Sequence, residues 1–81
     1  MKQPTIKIIT KKLEKVLDDS ISREEVSEWA IGYIRNDDKV EIDDINAWHY
    51  LVEISSIDVM VEQDVYLYDE KDIRNVINKY S

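Results

Sequence analysis

The clearest fold signal in this chain lies at residues 22–34, which read SREEVSEWAIGYI. The stretch opens with a capping box, in which Ser22 accepts an orphan backbone N–H and Glu25 reaches back to the serine N–H. Ile21 before the cap and Val26 in the next turn match a hydrophobic staple. Apolar residues then recur on one helical face, at Val26, Trp29, Ala30, Tyr33 and Ile34. We therefore predict a helix that ends near Arg35.

A second helix is predicted ahead of it, over residues 5–19. Its apolar positions share one face, at Ile6, Ile9, Leu13, Val16 and Leu17, and its lysines fall mostly off that face. Pro4 suits a helix start, because its missing N–H would have had no partner there. The β-branched residues between Thr5 and Thr10 leave an extended first turn as the alternative.

Two further helices are predicted in the second half of the chain. One is capped by Asp43 or Asp44 and has a single apolar face that includes Ile45, Trp48, Leu51 and Val52. The other begins at Asp69, where a second capping box and staple precede the apolar positions Ile73, Val76, Ile77 and Tyr80. Between these helices, residues 57–68 alternate with a period of two. This segment is either a short hairpin turning at residues 62–64 or an extended loop.

Size and composition set the fold class. A chain of 81 residues holds one domain, here residues 1–81, and 43% hydrophobic residues suffice for one core. A single glycine and a single proline favour helices over a many-turned β fold. We predict a mainly α, single-domain helical bundle of about four helices, with a short extended or β segment before the last helix. A small α+β domain is the alternative.

Several function classes are excluded by what the sequence lacks. Without cysteine there is no disulfide framework and no thiolate site, which favours the cytoplasm. No stretch approaches the length of a membrane span, and there is no signal-peptide core. His49 is the only histidine, and the acids at residues 37–44 lack the glycine and ligand spacing of a calcium loop. We therefore predict no enzyme activity, no metal, no cofactor and no membrane association.

Charge is distributed unevenly along the chain. Residues 36–72 carry twelve acids and two bases, whereas residues 1–19 have a net charge of +2. A strongly negative surface attracts basic partners and repels nucleic acid. Five lysines without interleaved aromatics are a weak nucleic-acid signal, so we predict no nucleic-acid partner. Instead we predict a patch that binds a basic protein, formed by Asp37, Asp38, Glu41, Asp43, Asp44, Glu62, Asp64, Tyr66, Tyr68 and Asp69.

The two tyrosines in this set carry the contact prediction. In an extended segment Tyr66 and Tyr68 share one face, while Val65 and Leu67 share the other. Tyrosines beside acids make a hot spot for an arginine- or lysine-rich partner. The alternative is that both rings pack and close the core.

The chain resembles small acidic bacterial immunity proteins of toxin–immunity systems, and more loosely the colicin DNase immunity proteins. The resemblance rests on residues 22–30, on the entry at residues 42–44 to a tryptophan-bearing helix, and on residues 65–69 before the last helix. It implies a stoichiometric inhibitor of a basic toxin or nuclease, with Tyr66 and Tyr68 as its tyrosine pair. The alternative function is a small regulatory or adaptor domain that acts through homodimerisation or docking of a helix face.

Overall fold

A computed structural model describes residues 2–81. Within them lie four α-helices and one two-stranded antiparallel sheet, with a short 3-10 turn at Asp37–Lys39. In chain order they are α1 (Ile6–Leu17), α2 (Arg23–Ile34), α3 (Ile45–Ile54), β1 (Met60–Glu62), β2 (Val65–Tyr66) and α4 (Glu70–Tyr80). The predicted helical bundle with a short β segment before the last helix is confirmed. The hairpin, not the loop, is formed.

Each helix begins after a residue whose side-chain oxygen accepts a backbone N–H of the first turn, and these N-caps are Thr5, Ser22, Asp44 and Asp69. At α4 the capping box is complete, because the carboxylate of Asp72 also accepts the backbone N–H of Asp69. At α2 only half of the predicted box forms. Glu25 donates its N–H to Ser22 at 3.1 Å, but no return bond from the Glu25 carboxylate occurs among the described residues.

The core is organised around α1 and α3. These two helices contact each other, and each also packs against α2 and α4. Their buried side chains form the centre of the core: Ile9, Leu13 and Val16 from α1, and Ala47, Tyr50, Leu51 and Ile54 from α3. Burying each large aliphatic side chain contributes about 1.5–3 kcal/mol. The exposed faces of α1 and α3 consequently point away from each other.

Tyr50 is fully buried, yet its hydroxyl is paired. It shares a 2.9 Å hydrogen bond with the hydroxyl of Thr10 on α1, and its ring stacks on Tyr80 with centroids 4.6 Å apart. Burial is the main reason that the pKa of Tyr50 is raised. This hydrogen bond joins α1 to α3 inside the core.

Replacing Thr10 by valine is expected to lower the free energy of unfolding by about 1–3 kcal/mol, because the buried Tyr50 hydroxyl loses its partner. Urea unfolding measures the change. A Tyr50→Phe change in the Thr10→Val background should cost little more, since the unpaired hydroxyl is then absent. The account would be contradicted if Thr10→Val lowered the free energy of unfolding by the same amount with Tyr50 intact and in a Tyr50→Phe background.

The structure assigns no packing role to Gly32, which lies inside α2. A Cβ built at this position meets nothing within 4 Å. We expect Gly32→Ala to raise the free energy of unfolding by about 0.5–1 kcal/mol, because alanine loses less backbone entropy in a helix. A urea midpoint that falls instead would show that a hidden close contact exists there.

Long-range polar contacts fix both ends of the bundle. At one end the amide of Gln3 donates to the backbone oxygen of Asp44 and accepts from its N–H, at 2.9 and 3.0 Å. This pairing holds the segment before α1 against the start of α3.

No helix within residues 2–81 is long and apolar enough to cross a membrane.

At the other end Arg23 holds the hairpin. Its guanidinium donates to the backbone oxygens of Tyr68 and Ile57 and lies 4.1 Å from the ring centroid of Tyr66. The hairpin turn itself places Asp64 at a φ of 63°, in the left-handed region. Arg23 therefore holds the residues on either side of the hairpin against the N-terminal end of α2.

Candidate functional site

The predicted acidic residues are divided between opposite ends of α2 and α3. Five of them follow α2 and precede or cap α3, at Asp37, Asp38, Glu41, Asp43 and Asp44. The others lie on the hairpin or at the start of α4, and this second group is held at the N-terminus of α2 by Arg23. The 12 residues of α2 put about 18 Å between the two groups. The structure therefore does not bring them together into one patch.

Tyr66 and Tyr68 are both engaged within the chain. The Tyr66 hydroxyl donates to the carboxylate of Glu24 at 2.9 Å, which is the main reason that its pKa is raised. Tyr68 is partly buried and packs against the core. Asp44 and Asp69 serve as helix caps. A partner contact at these residues stays a prediction.

The densest group of basic residues lies on α1. We call Lys7, Lys11, Lys12 and Lys15 the lysine face. Lys7, Lys11 and Lys15 recur every four residues opposite the buried face of α1, so they form a line about 12 Å long. All three are exposed, while Lys12 is partly buried with its ammonium 5.0 Å from the ring centroid of Trp29.

No lysine of the lysine face forms an ion pair among the described residues, although Asp18, which directly follows α1, interacts electrostatically with Lys15. The ion pairs of the described residues include Arg74–Glu70 and Lys79–Glu53, and none involves these four lysines. Between the lysines lies Ile8, which is 47% exposed and shares a shallow depression with Lys11, Lys12 and Lys15. The result is an exposed, positively charged surface with an apolar centre.

The sequence contained the signal for this surface. A spacing of four residues among Lys7, Lys11 and Lys15 predicts one helical line of charge. By itself this spacing is a weak nucleic-acid signal, because no aromatic residue is interleaved with the lysines and the acids elsewhere dominate the net charge. The structure instead places most of the acids of residues 36–72 at the two ends of the bundle, away from the middle of α1.

Nothing in the described part of the chain forms a metal site. No group of three or more His, Cys, Asp or Glu side chains in residues 2–81 could hold a metal ion. His49 is exposed on the outer face of α3, away from the buried residues of that helix. The expectation that the chain is not an enzyme stays a prediction.

Fold and surface together define a small helical bundle with one lysine-bearing face. Over residues 3–80 the chain matches the family described as YxzC DNA-binding protein, and it belongs to that family. It is 36% identical over 70 residues to the uncharacterized protein YxzC of Bacillus subtilis (strain 168). The aligned part is 86% of this chain and 57% of that relative, so the chain spans little more than half of the relative's length. No solved structure matches the chain significantly.

Family membership corrects several of our predictions. The resemblance to immunity proteins is wrong, and with it the function as a toxin or nuclease inhibitor and the basic protein partner. The prediction of no nucleic-acid partner is also wrong, because the family is described as DNA-binding. The physical error was to treat net charge as a property of every face. A helical bundle can carry a net charge of −7 and still present a positive surface on one helix.

Proposed function

We propose that this chain binds DNA through the lysine face of α1. The observation that carries the proposal is the group of four lysines, free of ion pairs among the described residues, on one exposed helix of a member of a family described as DNA-binding. Lysine side chains bind DNA by neutralising phosphates and releasing condensed counterions. The proposal includes a cytoplasmic location and a role in binding, not catalysis.

The repulsion between neighbouring lysines lowers the stability of α1, and this cost supports a functional role for the lysines. Like charges four residues apart on a helix destabilise it by about 0.2–0.5 kcal/mol per pair, and the line of lysines contains two such pairs. Lys7 also lies in the first turn, near the positive end of the helix dipole, where α1 has no acid. A solvated face without a ligand would be more stable with alternating charges.

The local field supports the proposal despite the acidic composition. Within Ile6–Leu17 the four lysines face one acid, Glu14, and Asp18 lies beside Lys15 directly after the helix. Charges separated by more than about 10 Å in 0.1 M salt are largely screened. Acids at the ends of the bundle therefore slow the approach of DNA without cancelling attraction at α1. DNA binding by the parts of the longer relative that this chain does not cover rests on the family description alone.

Fluorescence anisotropy with a labelled 20-base-pair duplex tests the proposal. Non-specific DNA binding has a Kd of roughly 10⁻⁴–10⁻⁶ M at physiological salt, and we expect this range or tighter in low salt. Lys11→Glu should weaken binding at least tenfold, because it replaces a phosphate contact by a repulsion. Lys71→Glu is the matched control, since Lys71 is an exposed lysine on α4 outside the lysine face. Absence of binding, or equal effects of the two changes, would overturn the proposal.

A further inference from the structure

We infer that the lysine face contacts the phosphate backbone of duplex DNA without reading its base sequence. This inference rests on the proposed function and specifies its ligand. It follows from three properties of α1: its position between two other helices, the kinds of side chain that it exposes, and the arrangement of the nearest aromatic residues.

The position of α1 keeps it out of the DNA grooves. A helix with its side chains is about 10–12 Å wide and fills the major groove, which is about 12 Å wide. A recognition helix must therefore project from its domain. On one side of α1, Lys12 lies against Trp29 of α2. On the other side, Glu14 and Leu17 line a shallow groove with α4. With α2 and α4 packed on both flanks, α1 can lie along a duplex but cannot enter its groove.

The exposed chemistry of α1 also suits phosphates better than bases. Ile6–Leu17 contains no arginine, asparagine or glutamine, so lysine is the one side chain on this helix of the kinds that form bidentate base contacts, and it can form them only inside a groove. Lysine is a flexible point charge on a long stem, which matches a phosphate oxygen without demanding a planar partner. The hydroxyl of Thr10 is already paired with Tyr50. Contacts of this kind position a protein on DNA and carry no sequence information.

The aromatic residues nearest the lysine face do not form a stacking platform for single strands. Such platforms need open aromatic rings along a positive groove. Trp29 is the aromatic residue beside Lys12, and its ring is occupied twice. The Lys12 ammonium lies over it, and Tyr33 packs against it edge to face with centroids 5.6 Å apart. This arrangement favours a duplex over an unpaired strand.

The contact area is bounded by acids at both ends of α1. Asp18 and Asp19 directly follow the helix. Before its start, Gln3 is bonded to the backbone of Asp44, and the backbone of Lys2 forms an isolated parallel β-bridge with Glu41. Carboxylates at these positions repel any phosphates that continue along the line. The lysine face can therefore neutralise about four phosphates, one for each lysine.

Salt and sequence dependence of binding test this inference. Four neutralised phosphates predict that log K falls against log[salt] with a slope of about −3.6. Affinities for GC-rich and AT-rich duplexes should agree within about threefold, and a single strand of equal length should bind more weakly. Lys15→Gln should reduce the steepness of the slope by about 0.9 on every duplex, whereas Lys71→Gln should leave it unchanged.

The outcomes separate this inference from the proposed function. If no DNA binds at low salt, both fail. If DNA binds through the lysine face but one duplex is preferred by more than about tenfold, the protein reads bases and this inference alone is overturned. Tighter binding of the single strand, or a slope near zero, would overturn it in the same way while leaving DNA binding intact.

Discussion

Replacing Lys7, Lys11 and Lys15 together by glutamine is expected to reduce DNA affinity by several hundred-fold in 0.1 M salt. Each phosphate contact contributes about 0.9 of a decade in affinity for every decade of salt below 1 M, so three lost contacts remove nearly three decades. The salt slope should fall from about −3.6 to about −0.9. Fluorescence anisotropy across a salt series measures both quantities on the same samples.

The same triple variant should be about as stable as the original chain. Removing two like-charge pairs from α1 should raise the free energy of unfolding by about 0.4–1 kcal/mol. Loss of the Lys15 charge from the last turn of α1 offsets this by about 0.3–1 kcal/mol. Loss of binding with unchanged or greater stability excludes unfolding as its cause. A triple variant that binds as tightly as the original chain would place the DNA contact on another face.

Replacing Arg23 by alanine is expected to detach the hairpin from the bundle. The guanidinium joins two backbone oxygens, those of Ile57 and Tyr68, to the start of α2, and it covers the ring of Tyr66. Hydrogen bonds from a charged donor contribute about 1.5–3 kcal/mol each, and a cation–π contact about 0.5–2 kcal/mol. A two-stranded hairpin is marginal in water without such support. We expect the variant to lose about 3 kcal/mol of stability.

Amide hydrogen exchange locates this loss. The N–H of Leu67 donates to the backbone oxygen of Val59 at 2.8 Å, and its protection reports on hairpin pairing. Arg23→Ala should speed its exchange strongly while the amides of α1 keep their protection. Arg23→Lys is the matched control: it keeps the charge, lacks the guanidinium fork, and should be intermediate. Unchanged exchange at Leu67 in the alanine variant would contradict the anchoring role.

The helices could be predicted from the sequence because their signals are local. Caps and apolar stripes lie within a few residues of each other, and the N-caps Ser22 and Asp69 and one of the two candidates at Asp43 and Asp44 were confirmed. The α1 boundary moved by one residue at its start, because Thr5 caps the helix from an extended conformation. Local chemistry decides such features, so a linear pattern suffices.

Contacts between distant residues were not predictable in this way. Gln3 bonds to Asp44, 41 residues away, and Arg23 bonds to Tyr68, 45 residues away. A buried glutamine amide and a half-buried arginine each look like ordinary polar residues in the sequence. Their partners are backbone atoms, which carry no residue-type signal. The hairpin remained ambiguous for the same reason, since its anchor lies on α2.

The importance of the lysine face was missed in the sequence for an electrostatic reason. Summing charge along residues 36–72 gives a strongly negative segment, but the fold divides those acids between two ends of the bundle. The line Lys7–Lys11–Lys15 stays together because it lies on one helix. Spacing on a helix predicts proximity, whereas a segment's net charge does not. The family description then contradicted the protein partner and led us to propose DNA.

The central claim is that DNA contacts the lysine face of α1. Titrating a ¹⁵N-labelled sample with a short duplex, and recording amide and lysine side-chain NMR shifts at low salt, tests this claim most directly. We expect the largest changes at residues 7–15, reversed by added salt, and small changes at the hairpin and on the outer face of α3. Shifts concentrated on the hairpin or on α3, with residues 7–15 unmoved, would contradict the account.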